Sequence, residues 1–228
     1  MNNIAVVIDN GSQYTKMGYG GNVTPEHIIP TIISYKTENN AYGISKKNIE
    51  YDYFIGNKAK IKKNESKFYI EDYPMQDGVI KNWDSMEKFW NHSIYEVLRC
   101  DPQEHYFVLS QPAINPPENR EKITEIFFET FNVEGLFIGY QPIFAIMGYQ
   151  YLSSFDSNYK ISKLKQNAMK SLTGLVIEMG YTSTKIVPIC DGLILEPNIR
   201  EVPICGKDIS DFILQSIKDR GIKKYARR

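Results

Sequence analysis

The chain is poor in cysteine, carries no excess of charge and lacks the compact motifs of many nucleotide-binding and hydrolytic enzymes. Its three cysteines, Cys100, Cys190 and Cys205, stand apart without CxxC spacing, which excludes a disulfide framework or a cysteine-rich zinc site and fits a reducing compartment. They read as small, buried apolar residues. Lysine plus arginine and aspartate plus glutamate balance at 27 each, so bulk electrostatics calls for neither a nucleic acid nor an acidic membrane as partner. No GxxxxGK[ST], no GxGxxG after a strand, no HExxH and no GxSxG occurs, which removes the P-loop, Rossmann, zinc-protease and α/β-hydrolase readings. His27, His92 and His105 are remote from any metal-ligand spacing and read as packing or surface residues.

Long apolar runs are scarce as well. Residues 135–155 hold no charge over about the ~20 residues of a bilayer span, but Gln141, Pro142, Gln150, Ser153, Ser154 and several tyrosines interrupt them. The expectation is a buried strand followed by a buried helix, without membrane insertion. The opening MNNIAVVIDNGS lacks a basic n-region and runs straight into a patterned strand, so no signal peptide and a cytoplasmic location are expected.

What the chain has is a repeat. Laid over GLVIEMGYTSTK from Gly174, the stretch AVVIDNGSQYTK from Ala5 matches Val7 to Val176, Ile8 to Ile177, Gly11 to Gly180, Thr15 to Thr184 and Lys16 to Lys185, with Asp9 opposite Glu178. Each copy is an apolar strand, a carboxylate, a glycine turn and a second strand. One hairpin in each half suggests two lobes gripping a shared ligand.

In chain order, residues 4–8 and 14–19 pair as strands, and 28–34 adds a third to the meander. Residues 37–67 form a polar surface excursion with a brief strand at Tyr53-Phe54-Ile55. A helix over 82–98 is predicted from Trp83, Met86, Phe89, Trp90, Ile94, Val97 and Leu98 at three- and four-residue spacing, with Asn82 as N-cap. A strand over 105–109 precedes a helix opened by Pro116-Pro117, with Ile123, Ile126, Phe127 and Phe131 on one face. Residues 135–139 make the next strand, and Pro142 suits the first position of the helix behind it. The polar, lysine-bearing stretch 153–171 is the linker. Beyond it come the second hairpin, a strand pair over 193–196 and 201–204, and a helix from Lys207 with Ile209, Phe212, Ile213 and Ile217 on one face, ended by Gly221. The class is α/β with a mixed sheet, divided into a first lobe at 1–152 that looks complete, a linker at 153–171 and an incomplete second lobe at 172–228.

A glycine hairpin can turn several backbone N–H groups toward one phosphate, and a carboxylate before it can hold the waters of Mg²⁺. Gln141, at a strand-to-helix junction, is placed to orient a water as glutamines do in nucleotide hydrolysis, or simply to satisfy its own helix terminus.

The phrases DNGSQYTKMGYGG from Asp9, YPMQDGVIKNWDSMEKFW from Tyr73, HYFVLSQPAINPPENREKITEIFFETFNVEGLFIGYQ from His105 and GKDISDFILQSI from Gly206 resemble those of the actin superfamily over almost the whole chain. YFIG, HYF, PENRE and FNVEGLFI are most similar to an actin-related branch that serves in a branched-actin nucleating complex. PEHIIP and YPMQDG lean toward that complex's other actin-related subunit. The resemblance implies an actin-like, RNase H-like fold with ATP or ADP and Mg²⁺ between two lobes. It assigns Asp9 and Glu178 to the metal through water, and Gly11, Ser12, Gln13 and Tyr14 to the first phosphate loop. Gly180, Tyr181, Thr182 and Ser183 match the second loop, Lys16 the phosphate-contacting lysine, and Gly206 and Asp208 the cleft floor. Gln141 matches the residue that orients the hydrolytic water and stands near the metal. Actin, the other subunits of a nucleating complex and a cytoskeletal location are implied as partners and setting.

The departures from the family pattern cluster in the loops. Gln13 stands where the family has glycine, and EMGYTSTK from Glu178 replaces DSGDGVTH. Tyr181 thus replaces an acidic residue, Thr182 a glycine that would tolerate positive φ, and Lys185 a histidine that positions water. The family pattern continues into a further helical subdomain and a glycine-rich adenosine loop that these 228 residues do not include. The chain is then either a fragment or incomplete gene product, or a degenerate relative that leans on partners, and exposed apolar faces are expected where further elements would pack. These departures favour ATP as a structural ligand over ATP as a substrate. A nucleotide-free pseudo-actin scaffold is the alternative. A phosphotransferase of the sugar-kinase type would need an aspartate for its acceptor hydroxyl, and no residue here has a clear claim to that role.

Overall fold

The computed structural model describes residues 4–36, 53–155 and 172–221. The chain divides into two compact units, Met1–Gly139 and Tyr140–Arg228.

The first unit is built on a five-stranded sheet in which the strands run, from one edge to the other, Gly135–Tyr140, Tyr106–Gln111, Val6–Asn10, Tyr14–Tyr19 and His27–Pro30. Strands β1 (Val6–Asn10), β2 (Tyr14–Tyr19) and β3 (His27–Pro30) form the expected meander, and β9 (Tyr106–Gln111) lies parallel to β1. Alternation along β1 turns Val6 and Ile8 into the core, as a period of two requires. The third expected strand breaks after Pro30. Proline has no N–H for a ladder, the Ile32 N–H turns back to the Pro30 carbonyl, and the Thr31 N–H reaches the Gln13 carbonyl. The chain then re-enters as β4 (Ile33–Lys36) in a separate sheet, between β5 (Tyr53–Ile55) and β6 (Tyr69–Asp72).

Within the polar excursion lies a helix that its composition hides, α1 (Asn57–Glu65), in which Ala59 is the buried residue. With no apolar stripe it depends on packing against β4, β5 and β6, and a Lys62–Glu65 pair at 2.9 Å adds little at the surface. The rest of the excursion, 37–52, lies outside the described residues. Strands β7 (Met75–Gln76) and β8 (Val79–Ile80) form a small hairpin through Asp77 and Gly78, both at positive φ.

Helix α2 (Trp83–Asn91) starts where expected, with the Ser85 N–H donating to Asn82 Oδ1 at 3.2 Å, and winds on as a π-helix, His92–Leu98. Helix α3 (Pro117–Glu125) likewise continues as a π-turn, Ile126–Thr130. Their inner faces meet the sheet through an aromatic cluster in which the Phe127 ring lies 5.1, 5.6 and 5.4 Å from those of Trp90, Phe107 and Phe131. Edge-to-face contacts of this kind add to burial. Every residue of the contiguous core belongs to this unit.

Strand β10 (Gly135–Tyr140) leads into α4 (Gln141–Phe155), which starts one residue earlier than Pro142 suggests. The expectation of a buried helix is corrected: Met147, Tyr149, Tyr151 and Leu152 are exposed. Among the described residues no helix is long and apolar enough to cross a membrane. The linker expected over 153–171 falls mostly outside the described residues.

In the second unit β11 (Gly174–Met179) pairs antiparallel with β12 (Thr184–Cys190). Strands β13 (Leu193–Ile194) and β14 (Arg200–Val202) were expected to pair with each other, but both pair with β12, joined by a 3₁₀ turn at Glu196–Asn198. Helix α5 (Gly206–Asp219) follows, and Gly221 at positive φ lies just past its end. Its apolar face is bare, with Phe212 73% exposed. Cys190 is also exposed, against expectation, while Cys100 and Cys205 are buried.

Candidate phosphate-binding hairpins

The first hairpin is fixed by backbone register. Asp9 faces Lys16 and Asn10 faces Thr15 across β1 and β2, and the Gly11 N–H closes the turn on the Tyr14 carbonyl at 3.1 Å. A Cβ on Gly11 would sit 2.6 Å from that carbonyl oxygen, so no side chain fits. Asp9 Oδ2 takes the Lys16 ammonium at 3.1 Å, and Oδ1 accepts from the Ser110 hydroxyl at 2.5 Å. Ser12 Oγ accepts the Gly78 N–H at 3.2 Å, from the tip of the β7–β8 hairpin. Beneath the turn, Trp90 Nε1 donates to Asn10 Oδ1 at 3.3 Å, and Thr15 and Thr31 join their buried hydroxyls at 2.9 Å. The loop is therefore held by side chains or backbone from four other parts of the unit.

The second hairpin repeats the same closure. Glu178 faces Lys185 and Met179 faces Thr184, and the Gly180 N–H donates to the Ser183 carbonyl at 2.9 Å. A Cβ on Gly180 would stand 2.9 Å from that oxygen. Its bracing is different. The Gly206 and Lys207 N–H groups, at the start of α5, donate to the Gly180 and Tyr181 carbonyls, each at 2.9 Å, and Thr184 Oγ1 donates to the Ile204 carbonyl. Asp208 is the capping residue of α5, its Oδ2 accepting from the Cys205 N–H at 2.8 Å and Cys205 Sγ at 2.9 Å. The Cys205 thiol, then the Cys205 N–H, hold its carboxyl below the usual range. The first amides of α5 are thus committed to the protein itself, in contrast to the anion-binding use of helix N-termini.

The backbone at the two replaced glycines suits a side chain: neither Thr182 nor Gln13 is among the non-glycine residues at positive φ, which among the described residues are Asp77, Arg99, Asn132, Leu172 and Asp191. The first unit brings together Asp9, Gly11, Ser12, Gln13, Tyr14 and Lys16. The second brings together Glu178, Gly180, Tyr181, Thr182, Ser183 and Gly206, with Asp208 turned to the helix cap and Gln141 at the head of α4. Residues the sequence reading passed over are Ser110, Asn10, Thr31 and the Asp77-Gly78 turn. The last was legible as an Asp-Gly hairpin signal, whereas Ser110 is found only once β9 is laid beside β1.

Among the described residues no group of three metal-ligating side chains occurs. Each hairpin carries one carboxylate among hydroxyls and backbone, a donor set of the kind that suits Mg²⁺, which keeps most of its water. The ion's chemistry, when bound, is to neutralise phosphate charge.

A double-hairpin α/β chain of this kind belongs to the actin family, whose pattern, described as Actin, matches residues 2–227. Its relatives include proteins named actin-related protein 3: that of Dictyostelium discoideum is 42% identical over 219 residues, covering 95% of this chain and 49% of the relative. That of Acanthamoeba castellanii is 41% identical over 236 residues, covering 96% and 50%, and that of Oryza sativa subsp. indica 40% over 230 residues, covering 95% and 50%. The chain spans about half the length of the curated relatives it matches.

Proposed function

We propose that this actin-family chain binds ATP or ADP with Mg²⁺ through its two hairpins as a structural ligand, and serves as an actin-related component of a branched-actin nucleating complex in the cytoplasmic cytoskeleton. Its partners in this reading are actin and the other subunits. The observation that supports it is the duplicated closure, glycine N–H to the carbonyl three residues on, with carboxylate facing lysine in both copies. Gln141 and Glu178 would meet the metal through water, and the altered second loop makes turnover slow or absent. Calorimetry of the 228-residue chain with Mg-ATP is expected to give binding in the micromolar range or tighter, and purification from cells to bring actin or complex subunits with it.

A nucleotide-free scaffold is the second reading. It is favoured by the Asp9–Lys16 ion pair and by the commitment of the first α5 amides to loop carbonyls, both of which leave fewer groups for a ligand. Absence of measurable Mg-ATP binding, with partners still co-purifying, would select it.

A further inference from the structure

We infer that Lys185 is an anion-binding residue of the second hairpin, its ammonium reserved for a phosphate group of the ligand. This rests on the nucleotide reading above and adds a residue to it. Lys185 is only 7% exposed, yet among the described residues it makes no hydrogen bond and no ion pair. Strand register puts it in one row between Glu178 of β11 and Glu201 of β14, and directly opposed residues share a face of the sheet. Glu178 is half-buried and Glu201 exposed. Along the same face of β12 follow Val187 and Ile189, both buried and apolar. The ammonium keeps a little contact with water, since it is not among the fully buried atoms without a hydrogen bond, but it makes no ion pair with either flanking carboxylate, and an anionic group at the turn would supply a direct partner.

The repeat points to what supplies it. Lys185 occupies the place of Lys16, with the same carboxylate in register and the same glycine closure. In the first copy the lysine is spent on Asp9 at 3.1 Å. In the second it is not spent on Glu178. With the Gly206 and Lys207 amides given to Gly180 and Tyr181, and the Asp208 amide to the Cys205 side chain, the lysine is the buried cationic donor beside the turn that makes no bond to any other described residue. A compact oxyanion such as a phosphoryl group matches a single ammonium point charge.

The test is calorimetry of the whole chain with two probes, Mg-ATP and inorganic tripolyphosphate with Mg²⁺. Lys185→Met keeps the packed stem and removes the charge, and should weaken both probes by about tenfold or more, as loss of a hydrogen bond to a charged group does. Lys185→Arg should retain most of the affinity, and the thermal midpoint of Lys185→Met without ligand should equal or exceed that of the wild type. In the wild type, saturating tripolyphosphate should slow reductive methylation at Lys185, read by peptide mass spectrometry, which keeps the test open if Lys185→Met fails to fold. If the wild type binds Mg-ATP and Lys185→Met binds it equally well, or labelling is unchanged by tripolyphosphate, the lysine assignment falls and the nucleotide reading stands. If the wild type binds neither probe, both fall.

Discussion

The two hairpins share a backbone and differ in the face that is covered. In the first, Val6, Ile8, Thr15 and Met17 point into the core under α2 and α3, all essentially inaccessible. Their counterparts on the first strand of the second copy, Leu175 and Ile177, are 62% and 57% exposed, and Met179 is 70% exposed. There the opposite face is covered: Val187 and Ile189 are buried, and a Cβ on Gly174 would meet Ile146 of α4 at 3.1 Å. Turn closure and register are set by a glycine and the ladder, so they persist whichever face is packed. The exposed apolar row on β11 is the arrangement expected of a sheet face meant to be covered. The hairpin is thus a repeated local device carried by two different packings.

The largest effect that would sharpen this contrast comes from paired core truncations. Phe127→Ala empties the aromatic cluster of the first unit and should cost about 3–5 kcal/mol. Ile177→Ala, at the aligned face of the second unit, should stay within about 0.5 kcal/mol. Both tryptophans, Trp83 and Trp90, lie in the first unit, so denaturant unfolding followed by tryptophan fluorescence reads that unit. A loss at Ile177 comparable to that at Phe127 would mean that the β11 face is covered in solution and the contrast is void.

A middle-sized effect compares the turns directly. An alanine at Gly11 or Gly180 pushes a methyl against a backbone carbonyl, at 2.6 and 2.9 Å, and overpacking of this kind costs about 1–3 kcal/mol. Gly11→Ala should be the worse of the two, both because its contact is closer and because its loop is tied down by Ser110, Gly78 and Thr31. Tryptophan fluorescence for Gly11→Ala and far-ultraviolet circular dichroism for Gly180→Ala measure the two losses. Equal tolerance of alanine at both positions would show that the turns relax freely and that the shared closure is not what defines them.

Much of the fold was legible because its signals are local. Asn82 caps α2 through its own side chain, the apolar spacing of α2 and α3 matches their buried faces, and the repeat announced both hairpins. What stayed hidden depends on neighbours distant in sequence. Helix α1 has no apolar stripe to betray it, the break after Pro30 follows from the Thr31 amide reaching Gln13, and β13 and β14 meet only through β12. In the candidate site the glycines and carboxylates could be read from the repeat, whereas Ser110 becomes visible only across a parallel strand pair. The burial of Lys185 is equally a property of packing: the same residue type at the same register is half exposed in the first copy.

The smallest effect probes how the second hairpin is braced. Its loop carbonyls lean on the amides of Gly206 and Lys207, and the start of α5 is held in turn by the Asp208 carboxylate. Because the Cys205 thiol and N–H hold the folded pKa of Asp208 below its unfolded value near 3.8, the ionised form stabilises the native state above that value. The contribution disappears as pH falls through the folded pKa. Asp208→Asn should therefore melt slightly below the wild type at neutral pH, the gap closing as the pH is lowered beneath about 4. Circular dichroism melts across that range give the difference. A gap that is constant with pH would assign the effect to side-chain shape alone, and no gap at neutral pH would show that the second turn holds without its helix cap, as the first holds without any.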